Sequence, residues 1–477
     1  MKAVNVTPPA PGFFKNNRGD LTFALRSSGH FAHSGFILLK GPVLQDIYDD
    51  DIQYPLIPEN TLYHLTGIAD EDTYALISIA DSSCVIYVKL QDPAKSYWIK
   101  VKGLEEFKAT YEIDDAKSFE HLEADLAAKV GKNTIYLNVG VNKYSGITSL
   151  NPLSELEAMA TKFTIDKDSL YEFICESRVH KNAEEIRLLS QAAEVAINSH
   201  FSTWKKLKAG LTEREISNFF SCSNLTQCNA LTPYHNICGC GHNGSYLHYE
   251  DRDAPLKAED LILIDAGVRV HGYCSDITRT VPIGGKFSEK QKQIYNIVLA
   301  AQEAVFRAVK PGLSWQDAHI IAERTMLQGL LDLKVIKGEL EDLWKRRTSY
   351  YFFPHGLGHY IGLYTHDLAG LKSKENVWVP YEKMNLRVHR ILEENMVLTN
   401  EPGIYFNEGL LNLAKKDEKV KDVIDFDLVA QYAKEIGGIR IEDMFVVTNT
   451  GAKILSSRLP KTVMEIEAAM ADKVVYE

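Results

Sequence analysis

The sequence predicts two domains, a small α/β domain followed by a larger α+β one, and three observations predict them. At 477 residues the chain exceeds one ordinary domain. Strand-like and helix-like segments alternate through residues 1–172, whereas in 173–477 they are segregated. With 45% apolar and 25% charged residues, the chain can bury a sizeable core without disulfide or metal staples.

In chain order, strands are expected at 36–39, 74–79, 85–90 and 134–139, where β-branched and aromatic residues cluster. Residues 121–130 have the spacing of an amphipathic helix between the last two. The pattern changes near 172–182. A long helix then opens on a capping box, Asn182 with Glu185, and carries Leu189, Ala193, Ala196 and His200 at helical spacing. Thr212 with Glu215, just after Gly210, begins the next helix, and Ser288 with Gln291 a third that runs toward Pro311-Gly312. Strand-like runs follow at 261–264, 397–399, 439–441 and 444–447.

The net charge of −11 argues against nucleic acid or an anionic membrane as the main partner. The N-terminal stretch has early prolines, few basic residues and no apolar run of signal-peptide length, and no later run has transmembrane length, so a cytoplasmic location is expected. Seven cysteines, an odd count, fit reduced thiols. Cys222, Cys228, Cys238 and Cys240 with His242 superficially resemble a zinc knuckle, but the spacing matches no standard zinc pattern and favours ordinary core and loop cysteines.

Chemistry enters with a run that ends on a carboxylate, Leu261-Ile-Leu-Ile-Asp265, followed by Cys274-Ser-Asp276. The midpoint between the two aspartates falls between Val270 and His271, and a hairpin turning there would set them opposite each other. Like charges at that distance repel, so a divalent cation between them is the simplest remedy; a surface pair flanking a turn is the bland alternative. His355, His359 and His366 fall within a dozen residues among glycines, which argues for an extended segment approaching a ligand rather than a helix. Glu401 precedes Pro402-Gly403 at a strand end. Glu442 follows Arg440 by two residues, so both share a strand face and a plain salt bridge is also open to them. Four carboxylates would nearly neutralise two divalent ions, and a carboxylate-rich set with one histidine suits Mn²⁺ or Co²⁺ better than structural zinc.

Six segments in order, Leu247-His248-Tyr249, LIDAG (263–267), YCSDITRT (273–280), PHGLGH (354–359), LTNEPGIYF (398–406) and GGIRIED (437–443), resemble the pita-bread metallopeptidases, in particular the Xaa-Pro dipeptidases (prolidases). The N-terminal third also resembles the family's smaller, creatinase-type domain. The resemblance implies a pita-bread catalytic domain with two divalent ions, Mn²⁺ first and Co²⁺ or Zn²⁺ as alternatives. It makes Asp265, Asp276, His359, Glu401 and Glu442 the ligands, and it alone selects His359 among the three histidines. It implies Glu401 as general base, His355 and His366 around the scissile bond, and His248, Arg387, Arg440 and Trp98 as substrate-binding or supporting residues. Arg387 would hold a substrate carboxylate, and Trp98 would close the site of the partner in a homodimer.

The implied activity is hydrolysis of the Xaa-Pro bond of dipeptides by a metal-bridging hydroxide. An aminopeptidase P acting on longer proline-containing peptides is the first alternative, and a non-catalytic pita-bread binding protein the second. A methionine aminopeptidase would leave the N-terminal domain unexplained. Tyr364 stands where the family usually has Asp, and Asn400 where it has a β-branched apolar residue; neither replaces a ligand. They bear on the orientation of His366 and on substrate preference.

Overall fold

Alternate residues of the N-terminal strands divide cleanly between two cores. Ile37, Leu39, Ala75, Ile77 and Ile86 pack with Leu21, Leu25, Leu62 and Leu65 of two helices, Phe13–Ser28 and Asn60–Thr66. Leu38, Tyr74, Leu76, Val85 and Tyr87 face Leu122, Leu126 and Val130 on the other side. This period of two makes a sheet apolar on both faces, and helices must cover each. The computed structural model describes residues 4–142, 144–156, 162–228, 230–368 and 386–471. The chain divides into two compact units, Pro9–Arg178 and Met1–Pro8 together with Val179–Glu477.

The first unit is built on a six-stranded sheet of β1 (Phe36–Lys40), β2 (Thr73–Ser78), β3 (Cys84–Val88), β4 (Asp115–Ser118), β5 (Thr134–Leu137) and β6 (Thr164–Asp166), in the order β4-β3-β2-β1-β5-β6. β2 is antiparallel to β1 and β3, while β4, β5 and β6 join in parallel. The expected helix at 121–130 forms as one α-helical turn, Leu122–Asp125, that widens into a π-helical one, Leu126–Val130. The short edge strands β4 and β6 and the covering helices Phe13–Ser28 and Asn60–Thr66 are among the elements the sequence did not announce.

In the second unit all three capping boxes start helices. Asn182 accepts from Glu184 and Glu185 at the head of Ala183–Trp204, Ser288 caps Glu289–Ala308, and Thr212 and Glu215 bond reciprocally at the start of Glu213–Cys228. Arg187 reaches Thr7 Oγ1 (2.6 Å) and Pro8 O (2.9 Å), which ties the first residues to this unit. Its strands are antiparallel: β7 (Ile237–Cys240), β8 (Leu261–Asp265), β9 (Arg269–Val270), β10 (Tyr273–Cys274), β11 (Thr278–Pro282), β12 (Val397–Asn400), β13 (Gly403–Tyr405), β14 (Gly438–Arg440), β15 (Asp443–Val447) and β16 (Ala452–Ile454). Helices packed on antiparallel strands make this unit α+β. Among the described residues no helix is long and apolar enough to cross a membrane. All seven cysteines are free; Cys238 and Cys240 are buried on β7 and burial raises both thiols, while Cys222 is exposed.

Candidate metal centre

β8 is buried along its whole length and delivers Asp265 to the interior. It pairs with β11, and β9 with β10, in one continuous register that sets Asp265 opposite Thr278 and Val270 opposite Tyr273. The turn residues His271 (φ 46°) and Gly272 (φ 83°) both take left-handed backbone, the requirement of a tight two-residue hairpin turn. The hairpin therefore turns one residue later than the midpoint between the aspartates. Asp276 does not face Asp265, as the sequence led us to expect, but is offset from it along the opposite strand. What joins them is Tyr234, whose hydroxyl lies 2.8 Å from Asp265 Oδ1 and 2.5 Å from Asp276 Oδ1. A phenol has one proton, so it can donate to only one of two ionised carboxylates. Burial, then the charge of Asp265, pushes the Asp276 carboxyl well above the usual range. Gly267 is obligatory here, because a Cβ would sit 1.9 Å from Ser275 O.

The second pair comes from a broken ladder. Asn400 pairs with Asp443 on one side of the break and Gly403 with Arg440 on the other, in the same register. Glu401 and Glu442 therefore face each other across the break. Glu442 N donates to Thr278 O (3.0 Å), which joins this ladder to the hairpin, and Thr278 Oγ1 donates to Glu442 Oε2 (2.7 Å). Asp265, Thr278, Glu442 and Glu401 thus form one row across neighbouring strands. Burial with the charge of Glu442 raises Glu401 to about 8, and burial with the charge of Asp276 raises Glu442 well above the carboxylate range.

The glycine-rich segment is extended, as expected, and runs beside β12. Thr399 N donates to His359 O and Glu401 N to Leu357 O, both at 2.9 Å. A Cβ on Gly358 would lie 2.1 Å from Thr399 O, so glycine is what lets the two backbones meet. His359 Nδ1 is 2.9 Å from Tyr360 O, to which it donates. Nε2 then presents its lone pair to Asp276 Oδ2 at 3.4 Å and Glu401 Oε1 at 3.6 Å. Ligand atoms of Asp276, His359 and Glu442 lie within 4.8 Å of one another. A lone pair aimed at two carboxylates is repulsive unless a cation lies between them, so the donor set fits divalent metal.

A buried guanidinium pairs with one of these carboxylates, and its charge lowers Glu401 and Glu442 against the push of burial. Arg440, buried, pairs with Asp265 Oδ2 (2.6 Å) and donates to Tyr405 OH (2.8 Å) and to Thr278 Oγ1 (3.4 Å). The salt bridge open to Arg440 therefore forms with Asp265 across strands, not with Glu442. Tyr405 OH in turn lies 2.8 Å from His355 Nε2, while His355 Nδ1 faces Gly356 O at 2.8 Å. Burial, then the charge of Arg440, holds His355 down at about 3. The rings of His366 and His359 stand 4.4 Å apart, edge to face, and burial with the neighbouring His359 depresses His366 to about 2. The segment carrying His366 is anchored by a fully buried ion pair, Lys181 Nζ to Asp367 Oδ2 at 3.0 Å. Arg387, half-buried, and exposed His248 lie close enough for their charges to depress His366 as well.

The second unit thus gathers every expected site residue except Trp98. That residue belongs to the first unit, where it is 75% exposed beside Tyr97. Tyr364 is exposed at 41%, and Asn400 points away from the carboxylates toward Gln302. The sequence reading missed Tyr234, Thr278, Tyr405 and the Lys181–Asp367 pair. Thr278 follows Asp276 by two residues and Tyr405 follows Glu401 by four, so strand periodicity alone would have placed them on the site face. Tyr234 comes from a loop ahead of β7 that carries no such pattern.

Residues 184–449 match metallopeptidase family M24, and residues 14–136 match the aminopeptidase P N-terminal domain. The chain is 34% identical to a probable Xaa-Pro aminopeptidase of Phaeosphaeria nodorum over 88% of each chain. It is also 34% identical to one of Leptosphaeria maculans, over 91% of this chain and 75% of the relative. Among solved structures, aminopeptidase P from E. coli with the inhibitor Pro-Leu superimposes with a TM-score of 0.81 at 27% identity, covering 98% of this chain and 99% of that one. Pseudomonas aeruginosa aminopeptidase PepP gives 0.80 with the same identity and coverage. These relatives are aminopeptidases by name, so they favour the aminopeptidase alternative over the dipeptidase reading. The chain belongs to metallopeptidase family M24 and carries the aminopeptidase P type of N-terminal domain.

Proposed function

We propose that this metallopeptidase is an Xaa-Pro aminopeptidase that releases the residue preceding proline from peptides longer than two residues. The observation that carries the chemistry is the row of buried Asp265 and Glu442 and half-buried Glu401, with Asp276 and His359 beside it; the names of the relatives support the substrate class. Asp265, Asp276, His359, Glu401 and Glu442 would hold two divalent ions, Mn²⁺ before Co²⁺ or Zn²⁺. When bound, such ions supply Lewis acidity, polarising a carbonyl and acidifying water. The chain's own residues do the rest. Glu401, ionised once metal is bound and lying at the end of this row, is placed to take the proton of the attacking water and return it to the proline nitrogen as the C–N bond breaks. His366 is neutral and can donate an N–H to the developing oxyanion. His355 has both ring nitrogens engaged, at Gly356 O and Tyr405 OH, and serves to orient Tyr405 and Arg440. Proline has no amide hydrogen and restricts the residue before it, so a site shaped for this bond admits a tertiary amide that general peptidases handle poorly. The exposed pair of Tyr97 and Trp98 supports a homodimer in which Trp98 closes the partner's site.

One observation favours the dipeptidase reading: Arg387 is close enough to the histidines to clamp the carboxylate of a short substrate. Substrate length decides. With Mn²⁺-loaded protein, a Xaa-Pro peptide of five or more residues should be cleaved at a higher kcat/KM than Ala-Pro. Turnover confined to the dipeptide, and lost in Arg387→Ala, would reverse the assignment.

A further inference from the structure

The ladder that carries the two glutamates has a gap its backbone cannot close alone. Pro402 lies in register opposite Ile441, and Ile441 N donates to Pro402 O at 3.3 Å. The reciprocal bond needs an N–H on residue 402, which proline lacks. A buried carbonyl without a donor is costly. Gln302, fully buried on the helix Glu289–Ala308, supplies the donor. Its Nε2 donates to Ile441 O at 3.1 Å and to Asn400 O at 3.2 Å. These are the carbonyls of the residues immediately before Glu442 and Glu401. Lys461 Nζ donates to Gln302 Oε1 at 3.2 Å and so fixes which way the amide faces. Asn400 Nδ2 returns a bond to Gln302 O at 3.1 Å, a bond that a β-branched apolar residue could not make.

We infer that Gln302 is a positioning residue for the metal centre: its amide stands in for the missing proline N–H and sets the separation between Glu401 and Glu442. The inference rests on the two-metal reading above. A helix that merely packed on these strands would need only an apolar side chain there. A buried amide with each N–H on a different strand is a cross-link, and it acts where the two glutamates leave the ladder. Asn400 belongs to the same device and does not alter the substrate side of the site.

The test is calorimetric titration of metal-free protein with Mn²⁺ alone, with thermal melting alongside. Wild type should take up two ions. Gln302→Met should weaken uptake of at least one of them about 10–100-fold. Adding Pro402→Ala to that variant restores a backbone N–H at the gap and should recover most of the affinity. If Gln302→Met does not fold, Gln302→Glu, which keeps shape but loses the amide donor, takes its place. Isotherms equal to wild type, whatever the melting temperature, would overturn the inference, and no recovery in the double variant would overturn the role given to the gap. Wild-type uptake of fewer than two ions would sink the two-metal reading itself.

Discussion

The hairpin bearing Asp265 and Asp276 and the broken ladder bearing Glu401 and Glu442 crowd like charges together by different means. The hairpin is local: one tight turn sets the register, the aspartates are offset along it, and the Tyr234 hydroxyl sits between them. The ladder is assembled from distant segments, and its glutamates face each other across the break. Its support comes from behind. Arg279, fully buried, donates to Glu442 O and Asp443 Oδ1, both at 2.7 Å, and Gln302 holds the carbonyls. The difference teaches where charge repulsion is absorbed. A local pair can be buffered by one hydroxyl within the site, whereas a non-local pair needs buried scaffolding outside it.

Arg440 spans the two halves, since it pairs with Asp265 of the hairpin and with Tyr405 of the ladder. Arg440→Met removes the guanidinium paired with Asp265. Breaking a buried pair in this way costs about 3–5 kcal/mol. Denaturant unfolding of the metal-free protein should show that loss, with Mn²⁺ restoring part of it. A loss under about 1 kcal/mol would mean that the halves do not share a charge balance.

Glu442→Gln separates stability from function. Glu401 is raised from 4.5 to about 8, and Asp276 and Glu442 also rise well above their ordinary values. A raised carboxyl binds its proton more tightly in the folded state than in the unfolded one. Its contribution to stability is therefore complete below 4.5 and lost as pH climbs through about 8. Metal-free protein should thus melt at progressively lower temperature across that window, and the stabilisation by Mn²⁺ should grow across it. Glu442→Gln relieves the repulsion, so at pH 8 its metal-free form should melt higher than wild type. Turnover should fall about 10²–10³-fold, since several kcal/mol of Lewis-acid stabilisation would be lost. A lower melting point for the variant at pH 8 would show that the ladder is not strained by charge.

The same contrast governs how much was legible in the sequence. Capping boxes at Asn182, Thr212 and Ser288 are local rules, and each begins a helix. The carboxylates of the proposed ligand set could be singled out because strand ends and neighbouring glycines leave local marks, whereas His359 was set apart from His355 and His366 only by the family resemblance. The offset of the aspartates was not, because the turn is chosen by which residues accept left-handed backbone, here His271 and Gly272, and not by symmetry about the charges. Tyr234 and Gln302 were illegible for a stronger reason. One lies in a loop and the other reads as one more polar helix residue. Only tertiary packing brings them to Asp276 and Ile441.

Thr278 tests the seam at its most delicate point. It belongs to the hairpin, yet its hydroxyl donates to Glu442 of the ladder and accepts from Arg440 Nε. Thr278→Val keeps the shape and the backbone bond from Glu442 N to Thr278 O, and removes only the hydroxyl. One such bond contributes about 1 kcal/mol, or roughly a fivefold change in an equilibrium. The bond lowers the Glu442 carboxyl against the upward push of burial, so its loss leaves the proton held more firmly. Mn²⁺ must displace that proton, so its affinity in Thr278→Val should fall most at pH 6, by up to roughly fivefold, by no more than that at pH 7, and least at pH 9. An equal loss at all three values would mean that the hydroxyl acts through packing alone, and the hairpin and ladder would then be coupled by backbone rather than by charge.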